Sequence, residues 1–214
     1  MSRDWHLWHQ AYDDPASSLS RRIEVVRAEL RTLLGAAAAP VRLVSMCAGD
    51  GRDTLPVLAE VDARVHALLV ELDPALAESA RETASTLSLA DVEVRTADAG
   101  TTDSYAGAVP ADVLLACGVF GNVTDDDVAT TVATLPQLLA PGAHVIWTRG
   151  SRVPQDPTEV AGDPSEAVRA LFTGAGFEEA AFVRPDDASY RVGVARWPGP
   201  AQPFRPGVRM FSFV

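Results

Sequence analysis

The chain has 214 residues, 47% of them hydrophobic and 22% charged, with a formal net charge of -11. That length and balance suit one α/β unit with an ordinary core and argue against a disordered or fibrous chain. The negative charge argues against a non-specific grip on nucleic acid or on an anionic membrane; it suits a cationic ligand as readily as plain solubility.

The opening, MSRDWHLWHQ, is polar and aromatic, unlike a signal peptide, and no apolar run approaches membrane-spanning length. Asp14 and Pro15 predict a helix start, and Leu19, Ile23, Val26, Leu30 and Leu33 recur on one face before Gly35 ends it. Val41–Met46 reads as a buried strand, followed by the small-residue turn Cys47-Ala48-Gly49-Asp50-Gly51 and a helix over about 53–61. Further strands are expected at 64–71, 92–96, 111–117 and 144–148, with helices from Asp73-Pro74 and from Thr124. Pro136 is expected to break the second of these helices, Pro141-Gly142 to turn, and 149–163 to form a loop. Asp163-Pro164 caps a last helix, and strands at about 177–184 and 190–197 close the sheet. The apolar end, Met210–Val214, reads as a strand-like piece covering an edge.

Strands alternating with helices predict a three-layer α/β sandwich around a mostly parallel seven-stranded sheet. The final pair of strands predicts an antiparallel hairpin at the C-terminal edge. Residues 1–40 form an N-terminal cap segment with its helix, and 41–214 one compact unit. Cys47 and Cys117 belong to no CxxC or His cluster, so neither a disulfide framework nor a metal site is expected, and a reducing cytoplasm is the expected compartment.

In such a sheet a ligand lies beyond the carboxyl ends of the strands. The first strand ends in small residues that let a ligand approach the backbone. Glu71 ends the second, twenty residues past Gly51, the spacing at which a carboxylate reaches a ribose. Leu72 follows it, and Asp73 is accounted for by helix capping. A dinucleotide oxidoreductase is the rival reading, but its third glycine position holds Thr54, and Asp50 and Asp53 would repel a pyrophosphate.

The stretch VRLVSMCAGDGRDT resembles the first motif of the class I S-adenosylmethionine (SAM) methyltransferases, with Gly49 and Gly51 in place, Cys47 at the first glycine and Ser45 at the acidic position. The resemblance runs from about residue 41 to 197. It implies SAM as cofactor and S-adenosylhomocysteine as product, held by Cys47, Ala48, Gly49, Gly51, Glu71, Leu72, Asp98, Ala99, Cys117 and Gly118. Within it, Asp98 accepts from the adenine amino group, the amide after it faces the ring, and a carbonyl at Cys117 or Gly118 meets the methionine amino group. It also implies an N-terminal lid facing the acceptor.

The expected reaction is in-line methyl transfer to an O, N or C nucleophile of a small molecule, by a monomer or homodimer. The fold alone equally admits a non-catalytic SAM-binding protein. His6, His9 and Tyr12 are the candidate catalytic groups, since His titrates near neutral pH; plain packing of this aromatic segment is the equal alternative. Trp8, Phe120, Asn122 and Arg149 are expected on the acceptor side, together with Trp147. His66 and His144 read as structural. Arg21 and Arg22 in the first helix are candidates to reach the SAM carboxylate, or are a solvated face.

Overall fold

A computed structural model describes residue 14 and residues 17–150 and 162–214. The helices are α1 (Ser18–Gly35), α2 (Leu55–Glu60), α3 (Pro74–Thr86), α4 (Asp125–Thr134) and α5 (Pro164–Gly174). The strands are β1 (Val41–Met46), β2 (Val65–Glu71), β3 (Val92–Thr96), β4 (Ala111–Ala116), β5 (Leu139–Gly150), β6 (Glu178–Val183) and β7 (Tyr190–Arg196). They form one seven-stranded sheet in the order β3-β2-β1-β4-β5-β7-β6. β1 pairs in parallel with both β2 and β4, while β7 runs antiparallel between β5 and β6. The order reverses at β1, which opens a crevice above the β1 and β4 tips.

The strands bury both faces by strict alternation. Val44, Met46, Leu68, Val70, Leu114 and Ala116 join the core on one side with α4 and α5. Leu43, Leu69, Val113, Leu115, Ile146 and Val194 join the other with α1, α2 and α3. A period of two sends neighbours to opposite faces, and a sheet covered twice therefore needs the near-continuous apolar runs seen here.

Three local expectations are corrected. α1 is capped by Ser17, whose hydroxyl accepts the Ser20 amide at 3.0 Å; Asp14 stands one turn earlier, where its carbonyl accepts from Ser17. Pro141-Gly142 is a bulge inside β5, not a turn. Between paired residues β4 advances from Ala111 to Val113 while β5 advances from Leu139 to His144, and Gly142, at φ +82, donates its amide to Trp197. A proline without an amide and a glycine in the left-handed region suit such an interruption. β5 also continues through Arg149 and Gly150, so part of the expected loop is strand; residues 151–161 of it lie outside the described residues. Lastly, Met210–Val214 does not cover a sheet edge. It crosses the strand tips, making an isolated bridge from Arg209 to Thr101.

Asp163 joins the last helix to the sheet. Its Oδ1 accepts the Ser165 amide at 3.0 Å and hydroxyl at 2.6 Å, and its Oδ2 accepts Arg191 Nε at 2.7 Å, with the Asp163 side chain 8% exposed. Burial pushes this carboxyl up, but the Ser165 donors and the Arg191 guanidinium outweigh it and hold the group at about 2. A carboxyl depressed on folding stabilises the fold above its unfolded value of about 3.9, and that stability is lost as pH falls toward the folded value. The wild type is expected to lose about 2 kcal/mol through this group between roughly pH 4.5 and pH 2. Asp163→Asn should lose that part of the slope, measured by urea unfolding across the same range.

Candidate functional site

The crevice holds a cavity of about 360 Å³, within the range of small-molecule sites. Its walls come from the tips of β1, β2, β3 and β4, from α1, and from the C-terminal segment. β1 feeds it through a turn in which Cys47, Gly49 and Gly51 take φ values of +50, +58 and +75. Cys47 thus adopts a conformation that a glycine holds without strain, which explains physically why the family pattern has glycine there. Gly51 is fixed by packing as well, since an added Cβ would lie 2.6 Å from Leu55 Cδ1. Its carbonyl accepts the Leu55 amide at 2.8 Å and starts α2.

Glu71 ends β2 with its side chain turned to this turn, and the residue is 9% exposed. Oε2 accepts the Gly49 amide at 2.8 Å and Oε1 the Asp73 amide at 2.9 Å. A carboxylate has about four lone-pair sites, so two are used in fixing it and two remain for a ligand. Asp98 is arranged in the same way at the β3 tip: Oδ1 accepts the Gly100 amide at 2.8 Å and Oδ2 accepts Arg209 Nη1 at 2.5 Å. The Gly118 amide, beyond β4, donates to Thr148 Oγ1 at 2.8 Å, and the Gly118 carbonyl accepts Asn122 Nδ2 at 2.6 Å.

Nine of the ten residues expected around the cofactor therefore line one cavity: Cys47, Ala48, Gly49, Glu71, Leu72, Asp98, Ala99, Cys117 and Gly118. Gly51, the tenth, lies behind them and shapes the turn. The acceptor-side expectations fare differently. Phe120 is fully buried, its ring 6.4 Å from Trp147 and 6.3 Å from Phe172, so it is a core residue and does not face the crevice. Trp147 is likewise core, stacked on Phe172 at 5.7 Å. Asn122 is tied back to Gly118, and Arg149 pairs with Asp125 at 3.4 Å. His6, Trp8, His9 and Tyr12 lie outside the described residues. His66 faces Asp91 at 3.6 Å, and His144, pushed down by burial and by the Arg196 charge, lies mid-strand in β5 just past the bulge, paired with Arg196 and not at the strand's start.

Residues not singled out as a pair in the sequence complete the cavity. Arg22 from α1 and Asp53 before α2 both line it. Burial pushes the Asp53 carboxyl up, opposed by the Thr54 hydroxyl at 2.9 Å and by the Arg22 charge. Phe213 reaches it from the end of the chain. Neither is a motif position; Asp53 reads in sequence as a helix-start acid and Phe213 as a tail residue. Burial also pushes the thiols of Cys47 and Cys117 up, so both face the cavity as neutral groups.

A family model described as a methyltransferase domain matches residues 45–145. A search of the curated proteins found no sequence match. Among solved structures, a magnesium protoporphyrin IX methyltransferase from Synechocystis PCC 6803 with bound SAM superposes with a TM-score of 0.68 at 13% identity, over 92% of this chain and 92% of that one. An O-methyltransferase family protein from Burkholderia thailandensis gives 0.69 at 15% identity, over 94% of this chain and 61% of that one. A possible exported protein from Bordetella parapertussis gives 0.64 at 20% identity, over 84% and 68%. The segment that matches a methyltransferase domain covers the tips of β1 to β4, where every expected cofactor residue sits, and the solved structures share the fold of the sheet around it.

Proposed function

We propose that this enzyme transfers the methyl group of SAM to a small-molecule nucleophile at the β1–β4 crevice. The observation that carries the reading is Glu71, a carboxylate fixed by two backbone amides beside a left-handed turn, with acceptor sites to spare for a sugar diol. The cavity lining carries both kinds of group this cofactor requires. Arg22 offers a cation and Asp53 a carboxyl acceptor to the amino-acid part; Leu72, Ala99 and Asp98 offer apolar contact and one acceptor to a base. Because Asn122 engages the Gly118 carbonyl, the Cys117 carbonyl is the better partner for the ammonium.

When bound, SAM supplies a methyl group that is already electrophilic, because it sits on a sulfonium. The chain's own residues then orient and shield. Glu71 and the Cys47–Gly51 turn set the nucleoside, and alignment of this kind lowers the barrier to a transfer whose donor is already activated. The neutral thiols of Cys47 and Cys117 matter here, since a thiolate beside the sulfonium would itself be a nucleophile. We assign His6, His9 and Tyr12 to the acceptor's proton, with Trp8, Asn122 and Arg149 on the acceptor side. The acidic surface and reduced cysteines support a small-molecule substrate and a cytoplasmic location, without nucleic acid or membrane; among the described residues no helix is long and apolar enough to cross a membrane.

The test is calorimetric titration of the full chain with S-adenosylhomocysteine, followed by methyl-labelled SAM with panels of small hydroxyl, amine and carbon acids. One-to-one micromolar binding and label transfer to a small molecule are expected. No binding of S-adenosylhomocysteine would overturn the reading.

A further inference from the structure

Among the described residues only Leu72, Leu87, Phe213 and Val214 are large apolar groups left exposed, and two of them, Leu72 and Phe213, line the crevice cavity. They reach it from different parts of the chain, Leu72 from the β2 tip and Phe213 from the C-terminal segment. Phe213 does not end up there by fraying. The Thr102 amide donates to the Val208 carbonyl at 3.0 Å, the Met210 amide donates to the Gly100 carbonyl at 2.8 Å, and the Met210 carbonyl accepts Thr131 Oγ1 at 3.2 Å. Met210 and Phe211 are buried, and the Val214 amide donates to the Asn122 carbonyl at 3.1 Å. Gly100 is a glycine because a Cβ there would collide with the Phe211 carbonyl. The segment is therefore built onto the strand tips, and it holds a ring that remains 42% exposed at the cavity. The Phe213 ring meets Phe211 edge-on at 5.8 Å.

The segment also acts on the site's chemistry. Arg209, four residues before Phe213, holds Asp98 Oδ2 while the Gly100 amide holds Oδ1, leaving each oxygen a further lone pair. A fixed acceptor beside exposed apolar groups is what a flat base with an edge amino group requires. The charged partners of the cavity, Arg22 and Asp53, come from α1 and the start of α2.

We propose, resting on the function above, that the C-terminal segment is part of the nucleoside site and that Phe213 is the residue on which the purine stacks. Base–aromatic stacking of this kind is worth about 1–3 kcal/mol by alanine substitution, or about 5- to 150-fold in affinity. The full chain is titrated with S-adenosylhomocysteine as wild type, Phe213→Ala and Phe213→Trp, and saturation transfer from protein to the adenine protons is recorded by NMR. Phe213→Ala should weaken binding about tenfold or more and reduce transfer to adenine, with the melting temperature of the ligand-free protein unchanged. Phe213→Trp should bind as the wild type does. An alanine variant within about twofold of the wild type overturns the proposal, as does an equal loss in the tryptophan variant, and either leaves the methyltransferase reading standing. A wild type that does not bind the ligand overturns both.

Discussion

Glu71→Gln is expected to weaken S-adenosylhomocysteine binding by about 100-fold or more, and to lower stability as well. The wild-type carboxylate accepts on both oxygens, from Gly49 and from Asp73. Glutamine keeps the shape but offers one acceptor oxygen and one amino group. Whichever way the amide is turned, its amino group meets a backbone N–H, and two donors face each other. That costs about 1–3 kcal/mol for the orphaned buried amide. The ligand loses more. A hydrogen bond to a charged group contributes about 1.5–3 kcal/mol, and the two proposed for the ribose diol together correspond to at least two powers of ten in affinity. Calorimetry gives the binding loss and urea unfolding gives the stability loss. Glu71→Gln binding within about threefold of the wild type would remove this residue from the sugar site.

Glu71 also shows what the sequence could carry. Its distance from Gly51 is a count along the chain, and a strand ending at a fixed point turns that count into a position in space. The same holds for Asp98, Cys117 and Gly118, which all stand at strand ends. The apolar pattern likewise locates the five parallel strands. What remained hidden depends on contacts between distant segments. The β5 bulge becomes visible only when β5 is paired with β4, and the Ser17 cap competes with an Asp-Pro pair that looks equally good as a local signal. Phe213 meets the cavity only because Gly100 lets the chain end pass over it. Strand-end position alone, which puts Phe120 and Trp147 near the crevice, cannot tell a ring facing it from a ring folded into the core.

Trp147 is where that ambiguity has its largest energetic consequence. It is paired directly with Gly193 across β5 and β7, on the face shared with Ala195, and its indole covers the glycine so closely that a Cβ at Gly193 would collide with it. The ring centroid also lies 5.7 Å from that of Phe172 and 6.0 Å from that of Phe182, so it packs α5 and the side chain from β6 against β5. A glycine in a strand leaves a gap above its backbone, and an aromatic partner fills it. Trp147→Ala should therefore cost about 3–5 kcal/mol, as expected for emptying a buried aromatic site. Gly193→Ala should cost about 1–3 kcal/mol by overpacking, because the methyl enters the space the indole already fills. The two changes share one volume, so they should not add. In the Trp147→Ala background the Gly193→Ala methyl meets no ring, and its further cost should fall to within about 0.5 kcal/mol of zero, a coupling of the size seen for residues in direct contact. Urea unfolding of the wild type, both single variants and the double variant closes the cycle. Strict additivity of the two losses would mean that the indole does not rest on Gly193, and that β5 and β7 are held in register by their backbone ladder alone.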